Sequence, residues 1–318
     1  DYTISVNIQK EKTDTFKWSQ YPDCSFAKTA KDMKSFYLNG NIVLLASDGE
    51  KTSTYSLDAA NGRQFNNLNT TLATDAWKNA LVNENILYVL DGKTLKKTTN
   101  GQQYDTIMDN APIDRLIAAS TKEIYGLDGN NNIMVSKDKG QTWNVDIMDS
   151  DSKYVPTDDI SYIAIPFKYD NNSDYVLLAG NNATAAAYTD STAFVWSKTI
   201  DKSIDDKENK WTYYNYDSNS KSPLKSLDGL TLVCHGNYIL ALGGKGLGAC
   251  KETAHAAIYF SLDNGLTWHN NDTIVYPYGF DKYNTAMAVC TDKDNYIWIV
   301  CNNTGQVWKG RMNEVAWQ

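Results

Sequence analysis

The chain has 318 residues, 42% of them hydrophobic, and a formal net charge of −8. An acidic chain repels phosphate backbones and no basic run offsets this, so nucleic acid is excluded as a partner. No apolar stretch approaches the roughly 18 residues that span a bilayer, so the chain is not membrane-spanning, and it is too apolar for a disordered one.

The first residues, Asp1-Tyr2-Thr3-Ile4, read as the interior of a longer precursor, and Thr3 to Ile8 alternate like a strand. Residues 1–13 are therefore expected to be the tail of a preceding domain or a linker strand, and 14–318 a single domain. Phe16-Lys17-Trp18-Ser19-Gln20 follows as a strand.

Six apolar runs then recur just after an acidic or amide residue, roughly every 40–70 residues. They begin at Asp32, Asp75, Asp114, Asp159, Asp228 and Asn284. Each precedes a second apolar run, such as Ile42-Val43-Leu44-Leu45 or Tyr296-Ile297-Trp298-Ile299. Four short strands in a unit of this size are the arithmetic of a propeller blade. The expected fold is all-β, a six-bladed β-propeller with four antiparallel strands per blade. The last unit lacks a fourth strand, and the N-terminal strand carrying Trp18 is expected to complete it, which removes two exposed edges.

One motif occurs twice as S-x-D-x-G-x-T-W. The first copy is Ser136-Lys137-Asp138-Lys139-Gly140-Gln141-Thr142-Trp143, and the second carries Ser261, Asp263, Gly265, Thr267 and Trp268. Ser and Asp can bond back to turn amides, Gly supplies a positive φ, and Trp buries a large ring. The motif thus reads as a structural staple between strands. Lys97 to Tyr104 is a degenerate copy that keeps the Gly and an aromatic.

These residues resemble the Asp-box, or BNR repeat, found in sialidases, sortilin-type receptors and many secreted propellers. The whole chain is similar to secreted or surface-anchored propeller lipoproteins of gut Bacteroides. That resemblance implies an extracellular or outer-membrane location, with a lipid anchor on a segment outside this sequence. It also implies that ligand binds on the face formed by the loops entering each first strand, with the Asp-boxes on the other face. A sialidase clamps its substrate with three arginines. Arg63, Arg115 and Arg311 are all this chain has. Only Arg115 is expected at a first-strand start, so the sialidase reading is disfavoured.

On the expected ligand face, Tyr276, Tyr278, Phe280, Asp281 and Tyr283 form an aromatic loop suited to stacking on sugars, with Tyr154 and Arg115 as further candidates. Asp32, Asp75, Asp114, Asp159 and Asp228 could ring the channel mouth, where converging carboxylates favour a hard cation such as Ca²⁺. Otherwise each aspartate shapes the turn into its strand. No other cofactor is expected. The five cysteines lack a C-x-x-C pair and read as small core residues. His235, His255 and His269 show no ligand spacing.

Two readings remain open. One is an extracellular binding protein for a glycan or a protein ligand, working as a monomer. The other is a glycoside hydrolase using paired carboxylates at the channel mouth.

Overall fold

The computed structural model describes residues 16–146, 158–166, 173–181, 193–201, 211–214, 230–236, 238–243, 258–263, 267–271, 273–277 and 287–312. The chain begins with β1 (Phe16–Tyr21), a short 3₁₀ helix (Ser25–Thr29) and the meander β2 (Asp32–Leu38), β3 (Asn41–Ser47), β4 (Thr52–Asp58) and β5 (Asn66–Leu72). A second meander is β6 (Ala80–Asn83), β7 (Ile86–Asp91), β8 (Thr94–Thr98) and β9 (Asp105–Met108). A third is β10 (Arg115–Ala119), β11 (Ile124–Leu127), β12 (Ile133–Ser136) and β13 (Asn144–Val145). The fourth is β14 (Asp158–Pro166), β15 (Ser173–Asn181), β16 (Ala193–Asp201) and β17 (Thr212–Tyr214). Then come β18 (Leu230–His235), β19 (Tyr238–Gly243) and β20 (Tyr259–Ser261), and finally β21 (Met287–Thr291), β22 (Ile297–Cys301) and β23 (Val307–Met312).

Every ladder is antiparallel between neighbours in sequence, except that β1 pairs with β23, Trp18 opposite Gly310. The Trp18 indole lies on Gly310, where any side chain would collide with it. The inner-edge strands β2, β6, β10, β14, β18 and β21 lie against one another in a closed succession, as propeller blades do around an axis. The short β6 and β10 are apolar along most of their length because both faces of an inner strand are covered by neighbouring sheets.

The expectation of six blades with four strands each is corrected. Among the described residues, five sheets have four strands each, and the sheet of β18, β19 and β20 has three. After the second S-x-D-x-G-x-T-W turn, the chain makes a single bridge, Phe260 to His269. Asn271 Oδ1 then accepts bonds from the backbone of Thr273 (3.0 Å) and Ile274 (2.8 Å), which turns the chain off the ladder. The departing segment packs inward: Ile258 N donates to Ile274 O (2.8 Å) and Trp18 Nε1 to Val275 O (2.9 Å).

Between sheets the core is apolar, for example Leu38, Val43, Leu45, Leu87 and Val89 between the first two meanders. Cys24, Cys290 and Cys301 are buried. Burial pushes Cys24 and Cys290 up to about 12, which leaves them inert at neutral pH. A buried inter-blade contact is ionic. Lys198 Nζ lies 2.7 Å from Asp146 Oδ2 and 3.4 Å from Glu123 Oε2, all three nearly enclosed. Trp211 Nε1 donates to Asp146 (2.8 Å) and the Tyr125 hydroxyl to Glu123.

Candidate functional site

In an antiparallel meander, alternate turns fall on opposite faces. The turns from first to second strand and from third to fourth share one face, here called the turn face. The connections from fourth strand to the next first strand share the other with the turns from second to third strand, here the entry face.

The S-x-D-x-G-x-T-W turns lie on the turn face and consume their own polar atoms. Ser136 Oγ donates to Asp138 Oδ1 (2.9 Å) and accepts Gly140 N–H (2.8 Å). Asp138 takes the Thr142 N–H (2.8 Å) and hydroxyl (2.6 Å). These bonds hold the Asp138 carboxyl below its usual range, the Thr142 hydroxyl contributing most. Gly140 has φ +92°, and a methyl there would meet Leu95 Cδ2 at 2.7 Å, on the preceding blade. Trp143 packs into the same inter-blade core and donates Nε1 to Gly140 O (3.2 Å). In the second copy Ser261 Oγ bonds Asp263 (2.8 Å), Thr267 N–H and hydroxyl bond Asp263 (2.8 and 2.5 Å), and Trp268 is buried; Gly265 lies outside the described residues. The degenerate copy works alike, with Thr98 Oγ1 accepting Gly101 N–H (2.9 Å) and Asn100 Oδ1 accepting Gln102 N–H (2.9 Å). The turns at Gly101 and Gly140 lie against the preceding blade, and all three copies spend their polar groups internally.

The entry face carries the acidic starts. Asp32 opens β2, half-buried. Asp75 accepts a bond from Asn79 Nδ2 (3.4 Å) in the loop before β6. Asp114, exposed, is ion-paired with Lys93 of the preceding blade. Asp159 lies in β14 with its side chain outside the described set, and Asp228 lies outside it altogether. Among the described residues, no three acidic, histidine or cysteine side chains gather as metal ligands.

The aromatic loop is placed only in part. Tyr276 is 1% exposed and belongs to the core with Phe16, Leu242 and Ile258, so its ring is not a stacking surface. Tyr278, Phe280, Asp281, Tyr283 and Tyr154 lie outside the described residues. Arg115 is half-buried at the start of β10, as expected for a first-strand start. Arg63 falls in the loop before β5, and Arg311 on β23.

Two residues that sequence reasoning passed over stand out on this face. Trp77 belongs to a segment read as a first strand from Asp75, yet β6 begins only at Ala80. Residues 73–79 form a tight loop instead, through Ala76 N to Ala73 O (3.0 Å) and Lys78 N to Asp75 O (3.2 Å). The loop is anchored from three sides. Asp91 Oδ1 accepts Ala73 N–H (2.6 Å), Ser47 and Thr52 hydroxyls donate to Thr74 O (3.1 and 3.0 Å), and Asn79 O accepts Leu90 N–H (2.9 Å). The Trp77 indole is half-buried on the Phe36 and Leu38 core, leaving part of its surface to solvent. Lys34, on β2, is the second. Its Nζ donates to Ala80 O (2.7 Å) and sits 5.4 Å over the Phe36 ring. Burial, helped by the Arg115 charge, lowers its ammonium to about 8.

The fold is shared with solved propellers. The GH93 α-L-arabinofuranosidase of Fusarium graminearum in complex with arabinobiose superposes with a TM-score of 0.51 at 11% identity, covering 94% of this chain and 98% of that one. The α-L-arabinofuranosidase arb93a of Fusarium graminearum, in complex with an iminosugar inhibitor, gives 0.50 at 11% identity, covering 96% and 99%. YCF48 bound to D1 peptide gives 0.44 at 13% identity, covering 99% and 100%. At such identities the likeness shows the fold alone. No curated protein matches the chain. The model of the DUF6242 beta propeller domain matches residues 12–318, nearly the whole chain, and the protein therefore belongs to the DUF6242 β-propeller family.

Proposed function

We propose that this propeller is a glycan-binding protein of the cell exterior, and that the ligand is taken by the entry face rather than hydrolysed there. The observation that carries this reading is Trp77: a half-buried indole with part of its surface left to solvent, on a loop pinned to two blades by side-chain and backbone bonds. A flat ring fixed in advance loses little freedom when a pyranose stacks on it, and Asp75 and Lys78 beside it supply hydrogen-bonding groups. A glycosidase needs two carboxylates facing one substrate bond. Three carboxylates of the entry face are engaged separately, Asp114 by Lys93, Asp91 by Lys96 (2.5 Å) and Asp75 by Asn79. The exterior location rests on the resemblance to secreted propellers.

The test is a glycan array followed by calorimetry on the hits. Arabino-oligosaccharides belong in it because a structural neighbour is seen with arabinobiose. Trp77→Ala should weaken the best hit by at least about tenfold, measured well below its melting temperature because the indole also packs on the core. Undiminished binding by that variant would remove Trp77 from the site and the reading with it. Calcium at the first-strand starts is a separate proposal. A melting temperature raised by calcium would support it, and indifference to a chelator would count against it.

A further inference from the structure

A buried amine and two buried carboxylates meet where the third and fourth blades touch. Lys198 stands on β16, Asp146 directly follows β13, and Glu123 directly precedes β11. Their side chains are only 3%, 7% and 8% exposed, whereas the Lys93–Asp114 and Lys139–Glu84 pairs lie open to water. Lys198 Nζ is 2.7 Å from Asp146 Oδ2, which sets the Asp146 carboxyl carbon one bond beyond the contact. Glu123 Oε2 is 3.4 Å from the same nitrogen. Aromatic groups wall the cluster and bond to both acids. Trp211 Nε1 donates to Asp146 Oδ2 (2.8 Å), the Tyr125 hydroxyl donates to Glu123, and Lys198 Nζ sits 5.1 Å over the Tyr125 ring. The Tyr125 and Trp211 rings meet edge to face and are fully buried.

We propose that Lys198 and Asp146 condense into an amide, a covalent bond between the third and fourth blades, with Glu123 carrying the proton. The reaction starts from the ion pair. The ammonium passes a proton to the Asp146 carboxylate, which exchanges two enclosed charges for two neutral groups that need less solvation. The amine lone pair then attacks the carboxyl carbon and the C–N bond forms. The Trp211 N–H meets the negative charge that grows on the carboxyl oxygen. Glu123 takes the extra proton from the nitrogen and delivers it to the departing hydroxyl. The C–O bond breaks, one water leaves, and Glu123 returns to its starting form. Nothing is oxidised or reduced. In open water, ionisation of both partners and mass action oppose such a condensation. Here the two groups are held in contact, and effective concentrations on the order of 10⁵ M or more are reached by well-oriented groups within one molecule. The bond would join residues 52 apart in sequence and restrain the unfolded chain as a disulfide does.

The experiment weighs the purified full chain by intact-mass spectrometry in denaturant. The protein should be lighter than its sequence by one water. Protease digestion should yield a branched fragment that joins the stretch around Asp146 to the stretch around Lys198, with Lys198 resistant to trypsin. Asp146→Asn gives a signature of its own: it should lose ammonia instead of water and arrive at the same final mass as the parent. Glu123→Gln, shown to be folded by cooperative melting, should keep its full mass. A folded parent protein that holds its full mass after prolonged incubation would overturn the proposal. So would a lost water that maps to another aspartate, as a succinimide at an Asp-Gly step does. A folded Glu123→Gln variant that condenses as fast as the parent would remove Glu123 from the reaction. If that variant does not fold, the mass and fragment map of the unsubstituted protein still decide whether the bond forms.

Discussion

His235 Nε2 accepts the backbone N–H of Met312 at 3.1 Å, and this bond ties the end of β18 to the end of β23. The imidazole is fully enclosed and lies 5.1 Å from the Phe16 ring on β1, so one side chain touches three strands where the first and last strands meet. To accept that bond the nitrogen must carry a lone pair, which protonation removes.

That bond makes the closure acid-sensitive. Burial lowers His235 from 6.5 to about 4, with the Arg311 charge acting the same way and the Asn295 backbone opposing both. A group depressed in the folded state contributes stability that is complete above its unfolded value and is lost as pH falls through the folded one. Stability should therefore decline between pH 6.5 and 4, by about 3 kcal/mol from this histidine. Denaturant unfolding across that range should show the decline, and His235→Gln should remove most of its His235 share. A slope unchanged in the variant would assign the acid sensitivity elsewhere.

Gly140 and Gly40 separate packing from backbone strain. Both have positive φ, +92° and +88°, but a methyl at Gly40 meets nothing within 4 Å, whereas at Gly140 it meets Leu95. Gly40→Ala should destabilise by about 1 kcal/mol, the left-handed strain alone. Gly140→Ala should cost about 2–4 kcal/mol because the neighbouring blade must also give way. Urea midpoints of the two variants measure the difference.

Lys198 holds two enclosed carboxylates, Asp146 and Glu123. Lys198→Met leaves both without their shared cation, and about 3–5 kcal/mol of stability should go with it. Thermal unfolding followed by tryptophan fluorescence would report the change, since Trp211 donates to Asp146. A loss below about 1 kcal/mol would mean that the acids find another partner.

Lys34→Met should behave in the opposite way. It removes a desolvated cation with no carboxylate partner among the described residues, and keeps its apolar stem over Phe36. The unliganded variant should melt at an equal or higher temperature than the parent protein, by differential scanning calorimetry. A clear drop would mark Lys34 as a structural strut.

The turns were legible in the sequence because their work is local. Ser136, Asp138, Gly140 and Thr142 bond within one turn, and spacing alone specifies that. Blade borders were less legible. Ala76 and Trp77 look like the first residues of a strand, but two backbone bonds curl them into a loop, and nothing in hydrophobicity marks the difference. That the described residues after β20 hold a single bridge and no fourth strand has the same origin, a side-chain bond at Asn271 that competes with the ladder. Site residues were hardest. Tyr276 stands in an aromatic run that reads as a surface loop in sequence, but its ring turns into the core. Lys34 alternates with Met33 and Ser35 as if facing water, yet an inner strand has a blade on both sides. Exposure there is set by neighbours distant in sequence, such as Ala80, 46 residues away, and not by the strand's own pattern.

The distinction between binding and hydrolysis is settled most directly by following reducing-end release while the protein is saturated with its best glycan ligand. This account predicts calorimetric binding that Trp77→Ala weakens and no release above the uncatalysed rate. Steady release of new reducing ends, abolished by Asp75→Asn, would contradict it.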